Sequence, residues 1–389
     1  MKIPIKMLTA LIICVCGFLT IATARDYEAE KIITKSFRAS RGHTLSIENK
    51  YGNVNIQTWN KNEVNFEIKI TTSARKQNDA DDRLKSIDVE FSQSDKTISA
   101  KTVFDSKYRG CNNCSMDINY QVMVPQGLNY RLDNKYGNIN IPDVEGNTDI
   151  TVKYGNLITG NFSGSRNNID VKYGDFRSGN YSGDNNTIDV KYGNVKMAKL
   201  AGKRNNITTS YGGKVSVNET NKLSINIKYS NLNIGTAETL DVESGYTNTS
   251  IDKVLKLSVL SKYENYDIGE VDEVDGTFSY TNLDIAKLGK KLKIDEIKYG
   301  IVDISNVNPD FDAINIDARH TNVKIKFDPG ASYNVDAYTR HASIKTPAGN
   351  VSRNEPDRYS ERVQGTIGSS SLPKANVKIT NDYGNIDLR

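Results

Sequence analysis

Between Asn167 and Lys199, apolar and polar positions alternate in two matching blocks. Ile169, Val171 and Tyr173 recur as Ile188, Val190 and Tyr192, with charged or amide side chains between them. Such alternation predicts an extended strand with one buried face, and it places each tyrosine on that face. After each tyrosine the phase slips by one residue, as in Val195 with Met197, Leu232 with Ile234 and Val323 with Ile325, so a corner is predicted just past the tyrosine. Gly52, Gly137, Gly155, Gly174, Gly193, Gly212, Gly300 and Gly384 follow the tyrosine and are expected to supply the unusual backbone angles of that corner. Ser230, Thr247, Glu264 and Thr281 take the place of glycine in four consecutive repeats.

The same phrase recurs along most of the chain. Its tyrosine slot is filled by Tyr51, Tyr136, Tyr154, Tyr173, Tyr192, Tyr211, Tyr229, Tyr246, Tyr263, Tyr280, Tyr299, His320, His341 and Tyr383, and from Tyr136 to His341 the steps are 17 to 21 residues. The final gap of 42 reads as two further steps. A period this regular defines a repeat architecture. No helical pattern separates the strands, which excludes βαβ units. The predicted fold class is therefore all-β: a parallel β-solenoid, or β-helix, of about 12–14 coils in which tyrosine lies over tyrosine about 4.8 Å apart. The structural ladder is expected at Tyr136, Tyr154, Tyr173, Tyr192, Tyr211, Tyr229, Tyr246, Tyr263, Tyr280 and Tyr299. Asparagine two residues past the slot, in ten of fourteen repeats, is expected either to bond up and down its own column or to serve simply as a good turn residue.

Residues 1–24 carry Lys2 and Lys6, an uncharged run from Met7 to Ala22 and the small-x-small site Ala22-Thr23-Ala24, the pattern of a secretory signal peptide. Residues 25–130 read as a β-rich capping portion with a charged, helical piece near Asp79–Lys85, and residues 131–389 as the β-solenoid. Removing the signal takes away two of 51 cationic residues against 47 acidic ones, leaving about +2, too little to draw in nucleic acid. No transmembrane segment is expected after signal cleavage, and location in the periplasm, at the outer membrane or on the cell surface follows from export. Cys111 and Cys114 remain as C-N-N-C, read first as a local disulfide, with free thiols, a redox pair or a metal site as alternatives.

Lysine or arginine precedes the slot in ten of fourteen repeats, and by alternation it points outward. Lys153, Lys172, Lys191, Lys228, Lys262 and Lys298 thus form a candidate stripe for a polyanion such as an acidic polysaccharide. Asp170, Asp189, Glu243, Glu296 and Asp317, two residues earlier, predict that much of this stripe pairs with itself. His320 and His341, in consecutive repeats, are expected one ladder step apart and are read as packing residues rather than metal ligands. No catalytic motif, cofactor site or metal site is found, and the even repeat length leaves little room for the inserted loops of a polysaccharide-cleaving groove.

The Tyr-Gly-Asn corner, the early run Ile47-Glu48-Asn49-Lys50-Tyr51-Gly52-Asn53-Val54-Asn55-Ile56, the nearby Trp59 and the run Tyr120-Gln121-Val122-Met123-Val124-Pro125-Gln126-Gly127 resemble an exported "putative adhesin" family of unknown function, common in Bacteroidota. The resemblance covers most of the mature chain and implies no catalytic residues. It departs from the family pattern in the later repeats, where His and Ser/Thr enter. The leading expectation is a non-enzymatic exported envelope or surface protein, an adhesin or scaffold presenting a repetitive face to a polysaccharide or another envelope protein. A periplasmic accessory protein in envelope stress or assembly, and a polysaccharide-active enzyme on the same rod, are the alternatives.

Overall fold

The computed structural model describes residues 26–106 and 114–389. The signal peptide reading therefore lies outside the described residues. Within them the chain is all-β, with 26 strands in one sheet and a single helix. That helix, Gln77–Lys85, is the charged piece expected near Asp79–Lys85.

Strand pairing follows the repeat. Arg166–Lys172 pairs in parallel with Thr148–Lys153 on one side and Asn185–Lys191 on the other, which sets Ile169 beside Ile150 and Ile188. Strands after the corner behave alike, with Phe176 beside Leu157 and Val195. Ile150, Ile169, Ile188 and Ile207 are consequently all at most 1% exposed. Each such side chain contributes on the order of 1.5–3 kcal/mol, and it does so only because a neighbouring repeat covers it.

The 85-position step from Tyr51 to Tyr136 does not interrupt this order, because Thr44–Lys50 pairs in parallel with Asn129–Lys135. The intervening chain covers the far side of the first repeat. Thr97–Phe104 and Ser115–Val124 pair with it in parallel, and Ile87–Gln93, Glu63–Ala74 and Tyr27–Arg38 then continue outward with antiparallel pairings. Reversing strand direction ends the parallel ladder.

At the other end the order of the chain and the order in space part company. Ala375–Asp382 lies between Ala313–Phe327 and Tyr333–Arg340, parallel to both. His320 and His341 are therefore not one ladder step apart, contrary to the step count; the ring of Tyr383 separates them. Ser360–Ile367 then pairs antiparallel with Tyr333–Arg340, and Gly349–Asn354 antiparallel with Ser360–Ile367.

The corner also differs from expectation. Among the described residues, fourteen non-glycine residues have positive φ, between 50° and 68°, and all fourteen fill the tyrosine slot. The left-handed residue is thus the tyrosine or histidine itself, and of the corner glycines only Gly52 has positive φ. Glycine is needed for a different reason. A Cβ on Gly155 would overlap the carbonyl oxygen of Gly137, and one on Gly174 that of Gly155, so successive corners approach too closely for a side chain. Where glycine is absent, the residue turns inward. The hydroxyls of Ser230, Thr247, Thr281 and Thr321 donate to the carbonyl oxygens of Lys228, Gly245, Ser279 and Arg319 at 3.0–3.2 Å.

Candidate functional site: the outward columns

A left-handed residue at the end of a strand reverses the alternation, so the slot side chain swings out of the core. This corrects the prediction that the tyrosines lie on the buried face: Tyr136 is 41% and Tyr211 56% exposed. Parallel strands about 4.8 Å apart bring these rings into offset stacks. Stacking runs unbroken from Tyr51 through Tyr136, every following slot to Tyr299, then His320, Tyr383, His341 and Tyr359, with centroids 4.7–5.4 Å apart. Phe104 meets the first ring edge-on. A left-handed non-glycine residue costs roughly 1–2 kcal/mol. One stacked contact per added ring returns about 0.5–1.5 kcal/mol, and half-burial of the ring supplies the rest.

This column limits what can bind. Both faces of each inner ring are covered by its neighbours, leaving edges and hydroxyls toward solvent. A sugar ring that packs on aromatic faces finds no open platform here.

Beside the rings run the asparagines. The backbone N–H of Asn138, Asn156, Asp175 and Asn194 each donates to the side-chain oxygen one repeat earlier at 2.8–3.0 Å. In the 17-residue repeats the bond passes between amides instead, Asn265 to Asn248 at 3.0 Å and Asn282 to Asn265 at 2.9 Å. Both patterns are bonded columns rather than isolated turn residues.

On the other side of the rings, Lys50, Lys135, Lys153, Lys172 and Lys191 lie in register one above another. The column is then interrupted, since Ser210, Gly245 and Ser279 alternate with Lys228, Lys262 and Lys298. Its cations are partly consumed. Lys172 bonds Asp170 at 3.0 Å, Lys191 pairs with Asp189 at 3.7 Å and Lys298 with Glu296 at 2.5 Å, while the ammonium groups of Lys50 and Lys135 sit 4.6 and 4.9 Å from their own tyrosine rings. The hydrogen bond and charge of Asp170 hold Lys172 above its usual pKa. Lys153, Lys228 and Lys262 make no ion pair among the described residues.

Cys114 is disulfide-bonded, and Cys111 lies outside the described residues. Among the described residues no three or more His, Cys, Asp and Glu side chains converge as metal ligands would. Among the described residues no helix is long and apolar enough to cross a membrane.

Two features escaped the sequence reading. Glu264 occupies the corner position held elsewhere by Gly, Ser, Thr or Ala, is 3% exposed, and has no hydrogen-bond partner on either carboxyl oxygen. Burial pushes its pKa up to about 7, against the opposing effect of the nearby hydroxyls of Ser244 and Tyr266, which bond each other at 2.7 Å. The second is a sorted set of charges on the strand after the corner. Arg177 and Lys196 share a register position, whereas Asp267, Asp284 and Asp303 recur there further along. Reading down that one position of the aligned repeats would have exposed the sorting.

The columns define a class of repeat-built, all-β protein with an aromatic column along its exterior. No protein-family model matches the chain, and no curated protein matches it. Among solved structures it is similar to a "putative adhesin" from Bacteroides fragilis, at 14% identity over 64% of this chain and 96% of that one, with a TM-score of 0.30. Others are a "putative lipid binding protein" from Parabacteroides distasonis (11%, 70% and 96%, 0.29) and a "putative cell adhesion protein" from Clostridium sporogenes (10%, 94% and 99%, 0.18). Structures named as adhesins from Bacteroidota are thus among its neighbours, in line with the family the sequence resembles. Likeness this distant says nothing of what the chain binds.

Proposed function

We propose that the chain is a parallel β-solenoid of about 12–14 coils that works without catalysis, as an exported envelope or surface scaffold presenting a long, repetitive face. The observation that carries this reading is the unbroken aromatic column with its bonded asparagine column: a surface repeated at every coil suits contact with an extended or repetitive partner. The pairing of Lys172, Lys191 and Lys298 with their own acids argues for a structural rather than a polyanion-binding role for the lysine stripe. An adhesin and a periplasmic assembly factor are distinguished by cell fractionation with surface proteolysis. Protection of the protein in intact cells, with cleavage after outer-membrane disruption, would overturn the surface assignment. Incubation with acidic glycans tests the absence of catalysis, since new reducing ends or unsaturated products would refute it.

A further inference from the structure

The charges on the strand after the corner are not scattered. At one outward position, eight successive repeats carry Arg177, Lys196, Ser216, Asn233, Ser250, Asp267, Asp284 and Asp303. Lys214 lies beside Ser216, at the position paired with Asn231. The order is antisymmetric at its two outer steps on each side. A twofold axis through the midpoint, between Asn233 and Ser250, places Arg177 opposite Asp303, Lys196 opposite Asp284 and Lys214 within reach of Asp267.

From this arrangement we infer that the face is a self-complementary interface through which two copies of the chain pair in opposite directions. A twofold interface requires that if position i meets j, then j meets i; the charges oppose in register at Arg177 with Asp303 and Lys196 with Asp284, while Asp267 faces Ser216 and takes its cation from Lys214, two residues along the strand. Equal spacing of about 4.8 Å between coils keeps the pairs in step along the axis. The groups most in need of partners are the ones the axis brings together. Lys196, Lys214, Asp267 and Asp284 form no ion pair among the described residues, whereas Arg177 and Asp303 are already held by Asp175 and Lys324. Burial, and then the neighbouring carboxylates of Asp303 and Asp267, hold the Asp284 carboxyl above its ordinary range, against the smaller opposing charge of Lys324, which pairs with Asp303.

Seven steps by about 15 Å of strand width give an interface on the order of 500 Å² per copy, at the lower end for specific association. The dimer should therefore be weak and strongly salt-dependent. The inference rests on the coil stacking proposed above, so circular dichroism accompanies the test.

Sedimentation velocity of the mature chain at about 50 mM salt should show a concentration-dependent dimer, weakened at least tenfold at about 500 mM. The variants K196E/K214E and D267K/D284K should each sediment as monomers, and their equimolar mixture should form heterodimers. A wild-type chain that stays monomeric at low salt with an intact β-spectrum would overturn the interface while leaving the solenoid standing; loss of the β-spectrum would sink the solenoid itself. A dimer indifferent to both reversals would also overturn it. So would a monomer whose retention on heparin falls only in K196E/K214E, which would make the basic half a site for an anionic polymer.

Discussion

Replacing Glu264 with threonine should stabilise the protein, and increasingly so as pH rises. Its carboxyl is buried without a bonding partner, and its pKa rises from 4.5 to about 7 on folding. An acid whose folded pKa lies above its unfolded one binds more protons when folded, so stability falls as pH rises from 4.5 to about 7 and is flat beyond. A rise from 4.5 to about 7 corresponds to roughly 3 kcal/mol, of which about 2.5 kcal/mol is lost between pH 5 and pH 8. Threonine removes the titration and supplies the hydroxyl that, in the adjacent repeats, bonds the carbonyl around the corner. The assay is urea denaturation of wild type and E264T across pH 5 to 8, with hydrogen exchange of amides near Tyr263 as a local readout in case distant repeats unfold separately. Differencing the two proteins cancels every other titrating group. A stability difference that stays constant across this range would refute the reasoning, because a buried, unpartnered carboxylate cannot be indifferent to its own ionisation.

Other outcomes follow from the columns. Tyr192→Ala removes two stacked contacts and leaves a left-handed alanine, and should cost about 2–3 kcal/mol in thermal or denaturant unfolding; Tyr192→Gly should be the milder change because it relieves the backbone. Gly174→Ala should be more damaging than either despite adding one methyl, since its Cβ meets the backbone of Gly155 rather than a movable side chain; soluble expression and melting temperature check this.

Much of the architecture was legible because one bulky residue marks every repeat. Tyr173 and Tyr192 gave the period, and Ile169 and Ile188 fixed the inward face and the register. The same marker misled at close range. Alternation counts only while φ stays negative, so a left-handed Tyr173 shows outward although its spacing from Val171 reads inward. Glycine was likewise legible as a corner but not in its reason, since the carbonyl it must clear belongs to another repeat. The exchange of neighbours at His320 was out of reach: a step count follows the chain, and the strand that leads into Tyr383 belongs to a slot 42 residues beyond His341. Glu264 read as one more exception at a variable corner, because burial there depends on side chains from neighbouring repeats, such as Ser244.

That late-arriving strand has a consequence for how such a molecule can change length. Ala375–Asp382 fills a slot between two segments already laid down, and without it Ala313–Phe327 and Tyr333–Arg340 would stand a full strand's width apart. The finish is therefore keyed, like the last stone set into an arch. Units can be gained or lost only from the interior of the stack, where each one sits between near-copies of itself, while the closing piece must be kept whole.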